Sequence, residues 1–286
     1  MADHFDVPLS EKTVEEGEYR TKNRPGERFR SVLGDRGNQP FTKITIVSIT
    51  HGKLTKDDDF ATLLVFELRF IATGGRRFMS AEVIFRFEDS ERQMIRDPVV
   101  HTISPYGKWA INKTVKVQNV KHGANASINA GIELAGAEAG VSWELEEIKT
   151  REFYTALTGK KRVMEKTYGD DNTAIWKLGE NEERADGIPT FMRAAVLLRR
   201  PEDVPFTFRV DVRTDVDFIG EVKTLFGWEK RDPIDPVEID PGRFPKASVP
   251  AVKAQDPKIY NLEEMGTWDV KEVADVSVVT LSEESF

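Results

Sequence analysis

The chain has 286 residues, of which 39% are hydrophobic and 31% charged, with a net charge of −8. That mix builds a core and excludes wholesale disorder, while the acidic balance disfavours a phosphate-backbone partner, so no nucleic acid is expected. There is no cysteine, which excludes a disulfide scaffold, a thiolate metal site and a cysteine nucleophile.

The amino terminus, MADHFDVPLSEKTVEEGEYR, lacks a basic region followed by an apolar run, so no secretory leader is expected. No segment approaches the ~18 apolar residues of a membrane-spanning helix. The expected compartment is the cytoplasm, and the sequons at Asn112 and Asn125 are read as unused. Residues 1–40 form a polar arm with at most one short helix near Ser10–Glu16, which Ser10 would cap. Residues 41–220 carry the strong periodicity, and its period is two, as in strands with one buried face. The first strand is KITIVSIT, 43–50.

The most sharply specified turn is Thr73-Gly74-Gly75-Arg76, because glycine accepts the positive φ of a tight turn. A two-residue hairpin loop there predicts a register in which Phe70 faces Met79, Leu68 faces Ala81, Phe66 faces Val83 and Leu64 faces Phe85. One face of the pair is then continuously apolar, and a one-residue slip would destroy it. The same register sets Glu67 opposite Glu82. Like charges directly across a ladder are unfavourable. Such a pair is either an acid–base or cation site or, more simply, two splayed and solvated side chains.

Further strands are predicted at 98–104 and 112–121. The next stretch, GANASINAGIELAGAEAGVSWELEE (Gly123 to Glu147), alternates for longer than an ordinary strand and then changes phase. Even positions are apolar from Ala124 to Leu134, and odd positions from Ala135 to Leu145. A strand cannot swap faces without a bulge or turn, so a turn is predicted at Ala135–Glu138. Ile132 then faces Val141, Ala130 faces Trp143 and Ile128 faces Leu145. These six residues are the candidate interaction surface. Each arm is about as long as the 9–11 residues of a tilted transmembrane strand, so length admits a membrane-inserting hairpin. The alanines argue against it: alanine gains little from lipid and lets another protein layer approach closely.

Strands are also predicted at 173–179, 190–199 and 206–216. Within this region AIWKLGENEERADGIPTFMRAAVLL (Ala174 to Leu198), together with GVSWELEEIKTREFYTALTG (Gly140 to Gly159), resembles a pattern in uncharacterised β-rich cytosolic proteins of filamentous fungi. The residues that carry it are Trp176, Glu180-Asn181 and Gly187-Ile188-Pro189. That group brings no activity to carry over. Physically, Glu180-Asn181 closes one strand and Gly-Ile-Pro launches the next, as a well-formed connection.

Six of the fourteen prolines fall between Pro233 and Pro257. Proline removes ladder donors, so 221–286 is read as a Pro-rich strap and C-terminal tail, with one further strand at VSVVTL.

The signatures of phosphate loops, dinucleotide folds, serine hydrolases and zinc proteases are missing. His51 and His122 each precede glycine and read as strand-end turn residues, His101 lies in a strand and His4 in the arm. Asp57-Asp58-Asp59 lacks the glycine and distal glutamate of a calcium loop and reads as a solvated hairpin tip. The Asp-Pro steps at Asp232, Asp235, Asp240 and Asp256 are turn initiators first, and a shared cation site second. The basic clusters Arg76-Arg77, Lys160-Lys161-Arg162 and Arg199-Arg200 lack the interleaved aromatics of a single-strand nucleic-acid groove.

The sequence therefore predicts an all-β antiparallel sandwich of roughly ten to twelve strands, without cofactor or metal. Its expected role is non-enzymatic: binding or self-assembly, as a homo-oligomer or with a protein partner. The alternatives are a pore-forming or membrane-inserting protein using the 124–145 hairpin, and an enzyme or small-ligand binder at the sandwich mouth, where His101 would meet a carboxylate and a serine.

Overall fold

The computed structural model describes residues 22–36, 40–57, 59–72, 74–124, 143–218, 221–227, 235–243 and 261–279. The strands are β1 (Val32–Arg36), β2 (Phe41–Lys53), β3 (Phe60–Ile71), β4 (Arg77–Asp89), β5 (Val99–Ser104), β6 (Gly107–Ala124), β7 (Trp143–Arg162), β8 (Thr173–Gly179), β9 (Phe191–Arg200), β10 (Phe206–Phe218), β11 (Glu221–Gly227), β12 (Val237–Ile239) and β13 (Val278–Val279). A single turn of helix, α1 (Val270–Val273), carries Asp269 as its cap, whose carboxylate accepts from the Lys271 amide at 3.0 Å.

The predicted antiparallel β-sandwich is what the chain forms. A six-stranded sheet runs β1-β2-β3-β9-β13, with β5 also paired to β9. A seven-stranded sheet runs β11-β10-β4-β8-β7-β6, with β12 also paired to β10. The short β12 lies on the edge of its sheet between two proline steps, where a missing ladder donor costs nothing.

The Gly74-Gly75 turn is present, with φ of +68° and +72°, but it does not close a hairpin. β3 pairs with β2 and β9, and β4 with β10 and β8, so the turn carries the chain from one sheet to the other. The predicted ladder, with Phe70 on Met79 and Leu64 on Phe85, is corrected accordingly. From Leu64 to Leu68 and from Ala81 to Phe85 both arrangements turn the same alternate residues toward each other, so periodicity alone does not separate a ladder neighbour from a neighbour across the core; beside the turn a register shift at Met79 puts Phe78 inward where Met79 was expected. The space between the sheets decides it. Phe66 stacks on Phe85 with ring centroids 4.2 Å apart, and Phe70 meets Phe78 edge-on at 5.8 Å. Phe208 and Trp176 complete this aromatic centre against Phe85, at 6.2 and 5.8 Å. Trp176 is fully buried, and its indole N–H donates to the Pro105 carbonyl at 2.9 Å. Ring pairs of this kind add about 0.5–1.5 kcal/mol each to the burial of their area.

The Glu67–Glu82 pair disappears with the ladder that implied it. Glu67 lies in the six-stranded sheet and accepts from Arg193 Nη2 at 2.6 Å and Arg69 Nη2 at 3.2 Å. Burial alone would raise the carboxyl pKa, but these two guanidinium groups outweigh it and hold Glu67 below its ordinary range. Glu82 lies on the other sheet, 4.0 Å from Arg213.

A second apolar cluster covers the far side of the six-stranded sheet. Met265, Val270, Val273 and Ala274 pack on Leu63, Val65, Ala195 and Leu197. The backbone fastens this cover: Lys53 N–H donates to Leu262 O at 2.7 Å and Gly266 N–H to Leu54 O at 2.8 Å. Gly52 makes the close approach possible, since a Cβ there would sit 2.2 Å from Leu262 O.

Candidate functional site

Among the described residues β6 and β7 are the longest strands, and the two halves of their pair are supported differently. Near its root, Gly107–Ile111 pair with Thr155–Gly159, and β8 lines the other edge of β7 from Ala156 to Arg162. Beyond Ile111 the register shifts, and eleven residues, Thr114 to Ala124, pair with Phe153 to Trp143. Among the described residues nothing pairs with the outer edges of this distal segment. At roughly 3.4 Å per residue, Trp143 lies about 44 Å past Ala156, where the pairing with β8 ends. The shift falls where the support of β8 ends, and an irregularity of this kind bends a strand. The ribbon leaves at the pole that also holds the Gly74-Gly75 turn.

The predicted register of this hairpin is corrected. Trp143 lies opposite Ala124 and Leu145 opposite His122, where Ala130 and Ile128 were expected. The two registers differ by an even number of residues, so both keep even positions of the first arm beside odd positions of the second. Alternation fixes that parity and nothing finer. Trp143 and Leu145 belong to β7, while Ile128, Ala130, Ile132, Val141 and the predicted turn lie outside the described residues.

At the opposite pole a pocket of about 390 Å³ opens between the loop 94–99, residues 166–172 and the end of β9. Its rim is apolar and exposed, with Ile95 at 83% and Tyr168 at 71%. Its charged groups are already matched within the protein. Lys166 pairs with Asp97, which also accepts from the Asp89 amide at 2.7 Å. Arg199 bridges Asp59 at 3.0 Å and Asp170 at 2.9 Å. A second, more apolar pocket of about 220 Å³ lies at the ribbon root, between Trp109, Ile111 and Leu157 on one side and Val276 and Val278 on the other. Lys271 Nζ stands 5.7 Å from the Trp109 ring centroid.

His101 lines neither pocket. Burial, with Lys161 and Arg199 nearby, lowers its pKa. Among the described residues no three histidine, aspartate or glutamate side chains gather to hold a metal. Asp235 is tied to the Asn23 amide at 3.0 Å and Asp240 caps its own turn at the Gly242 amide at 2.9 Å; Asp232 and Asp256 lie outside the described residues. Within the basic clusters, Arg77, Lys161 and Arg199 are tied into the fold, while Lys160 and Arg162 are exposed. Arg77 grips Glu180 and Asp217, and Lys161 donates to the carbonyls of Val100 and His101. Glu180 and Asn181 likewise turn inward: Glu180 accepts from the Gly187 amide at 3.2 Å, and Asn181 from the Glu183 amide at 3.0 Å.

Sequence reasoning missed one buried polar centre. His51, read as a turn residue because glycine follows it, is an inward-facing strand residue only 4% exposed. Arg200, read as part of a solvated basic end, is 1% exposed. The strand starts FATL and FTF supply the Phe60 and Phe206 rings, which lie 5.7 and 6.0 Å from the Arg200 guanidinium.

No protein-family model matches the chain, and no curated protein matches it. Among solved structures it is similar to the membrane-inserted form of the Clostridium perfringens NetB toxin, with 11% identity over 62% of this chain and 78% of that one and a TM-score of 0.28. It is also similar to Clostridium perfringens delta-toxin, with 12% identity over 70% and 83% and a TM-score of 0.34. A third structure, described as a pore forming protein, gives 9% identity over 78% and 89% and a TM-score of 0.35. The scores are low, and neither fold nor function is inferred from them. No described helix is long and apolar enough to cross a membrane, which leaves membrane-crossing strands unaddressed.

Proposed function

We propose that this chain is a non-enzymatic, cytoplasmic, self-assembling β-sandwich protein, and that the β6–β7 ribbon is the element through which copies associate. One observation supports this reading: eleven paired residues project beyond β8 with both outer edges unpaired among the described residues. An unpaired strand edge is a row of backbone donors and acceptors ready for another strand. A two-stranded ribbon alone is marginal in water, so association would stabilise it. Light scattering coupled to size-exclusion chromatography tests the reading. The expected result is an oligomer at micromolar concentration that becomes monomeric when residues 112–153 are replaced by a short turn. A wild-type monomer at every concentration overturns it.

The same length favours one second reading, in which the ribbon enters a bilayer. Each distal arm matches the about 9–11 residues a tilted strand needs to cross hydrocarbon. Dye release from liposomes separates the two. Release that the ribbon replacement abolishes supports insertion. An oligomer that releases no dye from anionic or neutral vesicles, at neutral or acidic pH, supports assembly alone.

A further inference from the structure

The pole opposite the ribbon holds two nitrogen groups that the fold buries without full partners. His51 of β2 faces the core; its Nδ1 shares a hydrogen bond with Thr62 Oγ1 at 2.9 Å, and its Nε2 has no partner among the described residues. Arg200 ends β9 with its guanidinium set against the Phe60 and Phe206 rings. Its Nη2 reaches Asp203 at 2.9 Å, and its Nε also lacks a partner. Arg200 thus staples the corner between β9 and β10 to the end of β3, with one half-exposed carboxylate as its counter-ion.

We propose that this pole is an acid-sensitive clamp: one proton on His51 sets two cations together in the buried end and frees the β9–β10 corner, residues 200–206, from β2 and β3.

The charges around His51 are Arg200 of β9, Asp203 of the β9–β10 connection and Asp240 after β12. β3 and β10 present Thr62, Phe60 and Phe206, which carry no charge. On its own strand, Lys53 donates outward to the Lys56 carbonyl at 3.1 Å. Burial first, and Arg200 second, depress the imidazole to about 4, against a smaller opposing pull from Asp203 and Asp240. A solvated histidine takes its proton near about 6.5. The sign follows from linkage. Above that value neither state is protonated, and the clamp has its full stability. As pH falls toward 4, the open pole binds a proton that the closed pole refuses, so opening is favoured by about thirty-fold at pH 5 and by no more than roughly three-hundred-fold below pH 4. The clamp belongs to the sandwich alone and is independent of how the ribbon is used.

Hydrogen exchange on the full chain, corrected for intrinsic rates, tests it between pH 7.5 and 4.5. The expected result is a loss of protection of about thirty-fold at pH 5 in peptides spanning 198–208, with β4 and β8 unchanged, and only a small loss in His51→Gln. An equal loss in His51→Gln, or none in the wild type, overturns the clamp. Should that variant not fold, side-chain NMR of wild-type His51 decides. Titration well below the solvated value, together with opening of 198–208, upholds the clamp, and titration at the solvated value overturns it.

Discussion

The six-stranded sheet lies between two apolar layers, the shared core and the C-terminal cover, whereas the seven-stranded sheet has the core on one face and a lattice of charges on the other. β3 shows the first condition: from Ala61 to Phe66 every residue is buried, whichever way it points. β10 shows the second. Phe206, Phe208, Val210 and Val212 face inward, while Arg209 meets Glu88 at 3.4 Å and Asp211 meets Arg86 at 3.3 Å on the outer face. Stability therefore resides in different places in the two sheets. A two-sided strand depends on a segment far away in the chain; a one-sided strand needs only water on its outer face.

Removal of residues 261–286 should have the largest effect. The cover buries several large side chains worth about 1.5–3 kcal/mol each, against a total domain stability of about 5–15 kcal/mol. Urea denaturation is expected to lose its cooperative transition, with strong binding of a hydrophobic dye; an intact transition would show that the six-stranded sheet stands without its cover. Met265→Ala is milder. Met265 is fully buried in the cover, and the midpoint should fall by the equivalent of about 2–5 kcal/mol. Gly52→Ala tests the fit of the cover without deleting any contact. Its new methyl would press on the Leu262 carbonyl, and calorimetry should register about 1–3 kcal/mol lost. Arg213→Ala, on the solvated face of the seven-stranded sheet, should change stability by about 0–1 kcal/mol. A loss there as large as that of Met265→Ala would erase the contrast between the sheets.

That contrast also explains what the sequence revealed. FTFRVDVRTDV alternates cleanly, and the strand that periodicity placed at 206–216 spans Phe206–Phe218. The Gly-Gly turn was legible from glycine chemistry, and so were the inward residues on both sides of it, except that Phe78 takes the place expected for Met79 after a register shift. Their partners were not, because the run LLVF carries apolar residues at both parities and its second face is covered by Met265, Val270, Val273 and Ala274, some 200 residues away. The strand predicted at 112–121 lies within β6, but the register of its pair depends on the turn, and alternation is blind to even shifts. The His51–Arg200 centre was hidden for a different reason: a histidine before glycine and a doubled arginine look like surface, and only the convergence of β2, β3, β9 and β10 buries them.

The passage of the chain between sheets at Gly74-Gly75 has a consequence for how the molecule is made. β3 and β4 emerge from the ribosome together, yet each waits for a partner about 130 residues later: Leu64 for Val196, and Val83 for Val212. At translation rates of roughly 5–20 residues per second, that delay is on the order of ten seconds. For that interval the nascent chain carries a strand that is apolar on both faces, with only β2 beside it and its cover unsynthesised. Pairings so distant in sequence also form slowly. Synthesis is therefore the stage at which this chain is most exposed to misassembly, and holding β3 until β9 arrives is the task a chaperone would perform for it.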